Sequence, residues 1–390
     1  MRKLSIFLLL FFLIPNLFAS GNGDDPENNK PEQPKAVNVI YMIGDGMSLP
    51  EIYATMLATN DDLAFSQFPY SGIVTTRSAS NEITDSAAAG TALACGEKTK
   101  NGMIGVNSDG VPMSSVLDVL ADNGKKTGIV VTCYATHATP ATFYAKVPDR
   151  KQYEDIAVQM MNCDKLNVMI GGGRKHFNQR EDGRNLLKEM SKKGWKVYDN
   201  LSDVDVIGKK YAVLADDDHL PAFSKRGDFL SQGVKTAIKT LEGCKNGFFL
   251  MVEGSQIDFA CHANDSACMV DETKDFSDAV QVALDYAKTH NNTLVVVTAD
   301  HETGGLTLRD PNGHYSDPGT AFSTHSHTCL PVMVFAYGPG AEQFTGWMEN
   351  SDLKGKILNA CGIESKENKT VKAVRTIAPV KTNFDSNPKN

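Results

Sequence analysis

The chain has 390 residues, with 39 Lys and Arg against 47 Asp and Glu and a formal net charge of −8 at pH 7. That acidic balance excludes a general nucleic-acid-binding surface, which clusters Lys and Arg. The length exceeds the usual size of one domain, but large α/β enzymes stay single, and no composition break, internal repeat or heptad run divides the chain.

The N-terminus reads as an address. Arg2-Lys3 precedes an apolar run over 4–17 and a small-residue end at Phe18-Ala19-Ser20, the pattern of a secretory signal peptide over residues 1–20. The run is short for a bilayer span, and no Cys follows the cleavage region, which argues against a lipoprotein. Its removal takes two basic and no acidic residues and carries the net charge from −8 to −10. Residues 21–36, rich in Asp, Asn, Glu and Pro, read as a flexible leader, 37–365 as one folded domain and 366–390 as a C-terminal tail. The mature protein is expected to be secreted or periplasmic, with no membrane anchor after cleavage. In an exported chain the eight cysteines permit disulfides, Cys261 to Cys268 among them, but spacing fixes no pairing and free buried cysteines remain the alternative.

Four apolar runs follow in chain order, each ending in chemistry-bearing residues. Residues 37–43 lead to Gly44-Asp45-Gly46, and 128–133 lead to His137-Ala138-Thr139-Pro140. Residues 247–252 stop at Glu253-Gly254, and 294–298 stop at Asp300-His301-Glu302. Such near-continuous runs match strands buried on both faces of a parallel sheet, and open α/β sheets bind ligands beyond the carboxyl ends of their strands. Helix-like apolar spacing over 116–123, 186–193, 229–241 and 276–288 alternates with them. The predicted fold is therefore α/β, a doubly wound, mostly parallel central sheet flanked by helices.

Between the first two runs, Thr84-Asp85-Ser86-Ala87-Ala88-Ala89-Gly90-Thr91-Ala92 puts a serine hydroxyl at the start of an alanine-rich helix. Two readings stand for Ser86: a residue that caps the helix, or a nucleophile aimed at phosphorus where free N–H groups and the positive dipole end receive a phosphate. Asp258 and His262, at i and i+4, share a helix face and make either a surface pair or two ligands of one metal. Asp300 and His301 would face opposite ways on a regular strand, so they share a site only if the chain turns, which Gly304-Gly305 permits. His325 and His327 lie in a loop before an apolar run at 330–335. Together these residues supply two zinc-type sets of carboxylate and imidazole, and Arg150 offers the fork that grips two phosphate oxygens.

The chain resembles the alkaline phosphatases of the serine-nucleophile, two-zinc type. The resemblance is carried, in the family's order, by Ile43-Gly44-Asp45-Gly46-Met47, Thr84-Asp85-Ser86-Ala87-Ala88 and Ala138-Thr139-Pro140-Ala141. It continues in Val252-Glu253-Gly254-Ser255-Gln256-Ile257-Asp258, in Thr298-Ala299-Asp300-His301-Glu302-Thr303-Gly304-Gly305, and in His327-Thr328 followed by Ala336-Tyr337-Gly338-Pro339-Gly340. It implies a first Zn²⁺ held by Asp258, His262 and His327, and a second held by Asp45, Asp300 and His301 with Ser86 completing its shell. It also implies a third metal, normally Mg²⁺, held by Asp45, Thr139 and Glu253, with Arg150 gripping the phosphate and Asp85 orienting that arginine.

The implied activity is hydrolysis of phosphomonoesters through a phosphoserine. The rivals are a superfamily relative that cleaves phosphodiesters or sulfate esters, and a catalytically inactive phosphate- or metal-binding protein. The chain departs from the best-known bacterial pattern at His137, in place of an Asp near the third metal, and at Phe259, in place of a Lys that reaches the phosphate. A nitrogen donor at the third site suits zinc or softer ions better than magnesium. Only 25 residues separate His301 from His327, so the crown insertion is read as minimal. A homodimer is what the resemblance implies.

Overall fold

The computed structural model describes residues 34–205, 209–310 and 319–364. The signal peptide and most of the leader, as well as the tail over 366–390, lie outside the described residues.

The order of buried runs in the chain builds a ten-stranded sheet. Its strands in chain order are β1 (Asn38–Gly44), β2 (Tyr70–Thr75), β3 (Lys126–Tyr134), β4 (Val168–Gly172), β5 (Lys196–Tyr198), β6 (Tyr211–Leu214), β7 (Phe248–Gly254) and β8 (Thr293–Thr298). Three short strands follow, β9 (Glu302–Thr303), β10 (Thr307–Arg309) and β11 (Gly319–Ala321), and then β12 (His327–Thr328), β13 (Val332–Tyr337) and β14 (Gly346–Glu349). Across the main sheet the order is β14-β2-β13-β8-β1-β7-β3-β4-β6-β5. Only β13 runs antiparallel to its neighbours, β2 and β8. Two small antiparallel pairs, β10 with β11 and β9 with β12, lie in the segment between His301 and His327.

Every residue of β1, β7 and β8 is buried, because helices flank the sheet. Each Val or Leu of β8 so covered contributes about 1.5–3 kcal/mol by leaving water. The helices Phe229–Leu241 and Ser266–Thr289 supply much of that cover. The second begins ten residues before the predicted start. Its first half carries buried Glu272, Thr273 and Asp275 rather than an apolar stripe, and Arg226 neutralises the two acids through ion pairs. The helix Ser86–Cys95 is buried along its whole length. Its Ala and Gly content allows that: a Cβ on Gly90 would sit 3.4 Å from the Thr139 backbone, so the chain passes there at close range.

Candidate active site

In the sheet β8, β1, β7 and β3 are consecutive parallel neighbours, so their carboxyl ends lie along one edge. Register sharpens this, since Ile43 stands opposite both Glu253 and Thr298, and Val131 stands opposite Glu253. Asp45, Glu253 and the pair Asp300-His301 therefore leave the sheet at one level. Gly46 makes the turn after β1, with φ +76°, and a Cβ there would come within 2.8 Å of the Asp258 backbone. Asp300 and His301 lie past the end of β8, where the strand has given way to a turn, so adjacency does not send them to opposite faces.

The donor atoms gather in three groups, each with its members within 4.8 Å of one another: Asp45, Asp300 and His301; Asp258, His262 and His327; and Cys133, His137 and Glu253. In the first, the His301 Nε2 atom lies 3.5 Å from Asp45 Oδ1, 3.3 Å from Asp300 Oδ2 and 3.2 Å from Ser86 Oγ. In the second, His262 Nε2 lies 3.3 Å from Asp258 Oδ1 and 3.1 Å from His327 Nε2. The far nitrogens of both rings are held by backbone carbonyls, His262 Nδ1 at 2.6 Å from the oxygen of His325 and His327 Nδ1 at 2.9 Å from that of Thr84. That arrangement fixes the tautomer and leaves Nε2 free for a cation. His325 is outside the group; its own Nδ1 faces the carbonyl of His262 at 2.9 Å.

These groups fit metal ions on a physical ground. Both carboxylate oxygens of Asp45, Oε1 of Glu253, Oδ2 of Asp300 and the Thr139 hydroxyl are buried without a hydrogen-bond partner. An unpaired buried charge is among the costliest features a fold can carry, and a divalent cation removes that cost. Burial first, and then the neighbouring acids Asp300, Asp258 and Glu253, push the Asp45 carboxyl well above the usual range. Glu253 is pushed up to about 8, again mainly by burial and then by Asp300. Burial, with His327 beside it, holds the His301 imidazole well below its ordinary value, which keeps it neutral and ligand-competent.

Ser86 is the first residue of its helix, and Asp85 is the N-cap, accepting from the Ala88 N–H at 3.0 Å. The cap is thus made by Asp85, and the Ser86 hydroxyl is not used for it. The other Asp85 oxygen accepts from the Gly102 N–H at 3.0 Å and from Arg150 Nη1 at 3.1 Å. Burial disfavours the charged guanidinium, but Asp85, with Asp45 and Tyr153, together hold its pKa above the ordinary value. One of its nitrogens is thereby tied down, which aims the rest of the fork. His137 is the N-cap of the turn of helix Ala138–Ala141, and its ring meets that of Phe259 edge-on at 5.9 Å.

Two residues of the site were not singled out from sequence. Thr303 links two groups, donating to Asp258 Oδ1 at 2.6 Å and facing His301 Nδ1 at 3.2 Å; its signal was its place two residues after a predicted ligand. Cys133 enters the third group from the penultimate position of β3, and its signal was a polarisable side chain at the carboxyl end of a buried strand. All eight cysteines are free.

Carboxylates and imidazoles grouped as cation ligands, one of them beside a serine hydroxyl, define a metallohydrolase site. The chain belongs to the alkaline phosphatase family, whose model matches residues 36–321. It is 39% identical to alkaline phosphatase 3 of Bacillus subtilis over 88% of this chain and 92% of that one. Its structure superposes on that of the alkaline phosphatase from the Antarctic bacterium TAB5 with a TM-score of 0.82 at 38% identity, covering 86% of this chain and all of that one. A histidine-to-aspartate mutant of the TAB5 enzyme, at a TM-score of 0.81 and 36% identity over the same shares, has magnesium bound in its M3 site. The protein is a metal-dependent phosphomonoesterase, which sets aside the diesterase, sulfatase and inactive-protein readings. Among the described residues no helix is long and apolar enough to cross a membrane.

Proposed function

We propose that the chain hydrolyses phosphomonoesters through a covalent phosphoserine on Ser86. The observation that carries this reading is the Ser86 hydroxyl at a helix N-terminus, 3.2 Å from His301 Nε2, with Arg150 held by the neighbouring Asp85. Asp258, His262 and His327 would hold the first zinc, and Asp45, Asp300 and His301 the second. Asp45 would reach a third ion together with Thr139 and Glu253, with His137 beside it; the magnesium in M3 of the TAB5 mutant supports a third ion at such a place. When bound, the zinc ions lower the pKa of a hydroxyl and offset charge on the entering and leaving oxygens of an in-line displacement.

The chain's own residues supply the rest. Arg150 binds two phosphate oxygens and sets phosphorus in line with Ser86 Oγ. The Ser86 O–H bond breaks and its proton passes to solvent; the oxygen bonds to phosphorus as the ester P–O bond breaks, and the departing oxygen takes a proton from solvent and leaves as the alcohol. Water then attacks phosphorus, the Ser86–phosphorus bond breaks, and inorganic phosphate departs. The free N–H groups at the start of the helix stabilise the charge that collects on the equatorial oxygens. The residues assigned to substrate, Ser86 and Arg150, both address the phosphoryl group and not the alcohol, which supports a broad range of alcohols.

His137 and Phe259 tune the site. Their replacement by His137→Asp with Phe259→Lys adds a carboxylate for magnesium and a cation for phosphate. The double variant is expected to bind magnesium more tightly and to suffer stronger inhibition by inorganic phosphate. Titration of both ligands against wild type and variant checks this, and unchanged constants would show that these positions do not govern the site.

Export by residues 1–20 remains part of the reading, with amino-terminal sequencing of the secreted protein as its check. So does a homodimer. Leu49, Tyr53 and Leu57, spaced i, i+4 and i+8 on the helix Leu49–Thr59, are all exposed apolar side chains, a row suited to a second copy. Tyr53→Arg is expected to convert a dimer to a monomer by light scattering; a monomeric wild type would exclude the assembly.

A further inference from the structure

We propose that Cys133 is a ligand of the third metal site, which makes that site a thiolate, imidazole and carboxylate site for a zinc-class divalent ion. The inference rests on the third ion of the reading above.

Cys133 has no exposed surface, yet its sulfur does not sit as an apolar filler would. Its Sγ lies 3.5 Å from Glu253 Oε2, and its donor atom is within 4.8 Å of those of both His137 and Glu253. Around it the Glu253 Oε1, His137 Nδ1 and Thr139 Oγ1 atoms are buried and have no hydrogen-bond partner. Several independent polar atoms are thus left open beside one thiol.

The backbone explains why the sulfur faces inward. The pairing of β3 with β4 shifts register between Val130 and Tyr134, a stretch that contains Cys133. Such an irregularity re-aims side chains at the end of a strand, next to active sites in particular. Tyr134 on the far side of the shift is held in place separately, by the His219 ring that stacks on it at 3.6 Å.

The donor set then selects the ion. Magnesium demands a near-octahedral shell of oxygen, whereas zinc accepts Cys sulfur, His nitrogen and Glu oxygen in one tetrahedral site. Softness orders the same choice. Binding breaks the Cys133 S–H bond, the proton passes to solvent and the sulfur lone pair forms the bond to the metal; no oxidation is involved.

X-ray absorption of the fully zinc-loaded enzyme, alongside elemental analysis, tests the proposal. The expected result is three ions per chain and a zinc–sulfur distance of about 2.3 Å, distinct from the roughly 2.0–2.2 Å of nitrogen and oxygen ligands. The cobalt-substituted enzyme is expected to show a near-ultraviolet sulfur-to-cobalt band that Cys133→Ser removes. Cys261→Ser, which takes away a buried thiol outside all three groups, is expected to leave it. Three ions without a sulfur shell overturn the thiolate ligand while the third ion stands. Two ions per chain overturn both, and a band that survives Cys133→Ser assigns the sulfur elsewhere. If Cys133→Ser does not fold, the wild-type zinc–sulfur distance still decides.

Discussion

Replacement of Ser86 by Ala is expected to lower kcat by a factor on the order of 10³ or more, equivalent to about 4 kcal/mol of lost transition-state stabilisation. The substitution removes one oxygen and little volume from a helix whose N-cap is Asp85, so stability should hold while chemistry fails. The Asp85 contacts to Ala88, Gly102 and Arg150 all remain. Phosphate should therefore still bind, and the inhibition constant for inorganic phosphate should move much less than kcat. A residue of turnover is expected, because the binding of the phosphoryl group survives the loss of the nucleophile. Steady-state assays with p-nitrophenyl phosphate together with thermal melts check the prediction, and a variant with wild-type kcat would remove Ser86 from the mechanism.

Chelation is expected to abolish activity, and zinc to restore it, because both oxygens of Asp45, Oε1 of Glu253 and Oδ2 of Asp300 are buried with no hydrogen-bond partner in the protein. His327→Ala should lower zinc occupancy and activity together. His325→Ala should change neither strongly, since its imidazole lies outside the group. Metal removal carries a pH signature as well. In the ion-free fold burial raises the Glu253 carboxyl from an ordinary value of 4.5 to about 8, so the folded state holds a proton that the unfolded chain has released. For a raised acid the stability is fully present below the unfolded value and is lost as pH rises through the folded one. The melting temperature of the chelated protein should accordingly fall between about pH 5 and pH 8, while that of the zinc-loaded protein should not follow it. Calorimetry across that range reads the difference; parallel pH profiles with and without zinc would contradict it.

Much of this was legible in the sequence because the site sits at strand ends. The apolar runs at 37–43, 128–133, 247–252 and 294–298 mark β1, β3, β7 and β8 within a residue or two. A parallel sheet then forces Asp45, Glu253 and Asp300 to one edge with no further information. The helix Phe229–Leu241 was read to its ends, since its apolar spacing is unbroken. The short strands β2, β4, β5, β6 and β14 went unread, as runs of three to six residues give periodicity too little length. The early half of the helix Ser266–Thr289 was hidden for another reason: Glu272 and Asp275 are buried there only because Arg226, far off in sequence, comes to meet them. Contacts of that sort leave no local mark. Cys133 belongs with them, because a thiol in an apolar strand looks like core until the carboxylate of Glu253 is seen beside it.

The most direct measurement is to quench the enzyme in acid during turnover with excess substrate, digest it and locate the phosphoryl group by mass spectrometry. One phosphorylated peptide is expected, spanning the start of the helix Ser86–Cys95 with the ester on Ser86, and it should disappear in Ser86→Ala. A phosphoryl group on any other residue, or rapid turnover with none trapped at all, would contradict the phosphoserine mechanism.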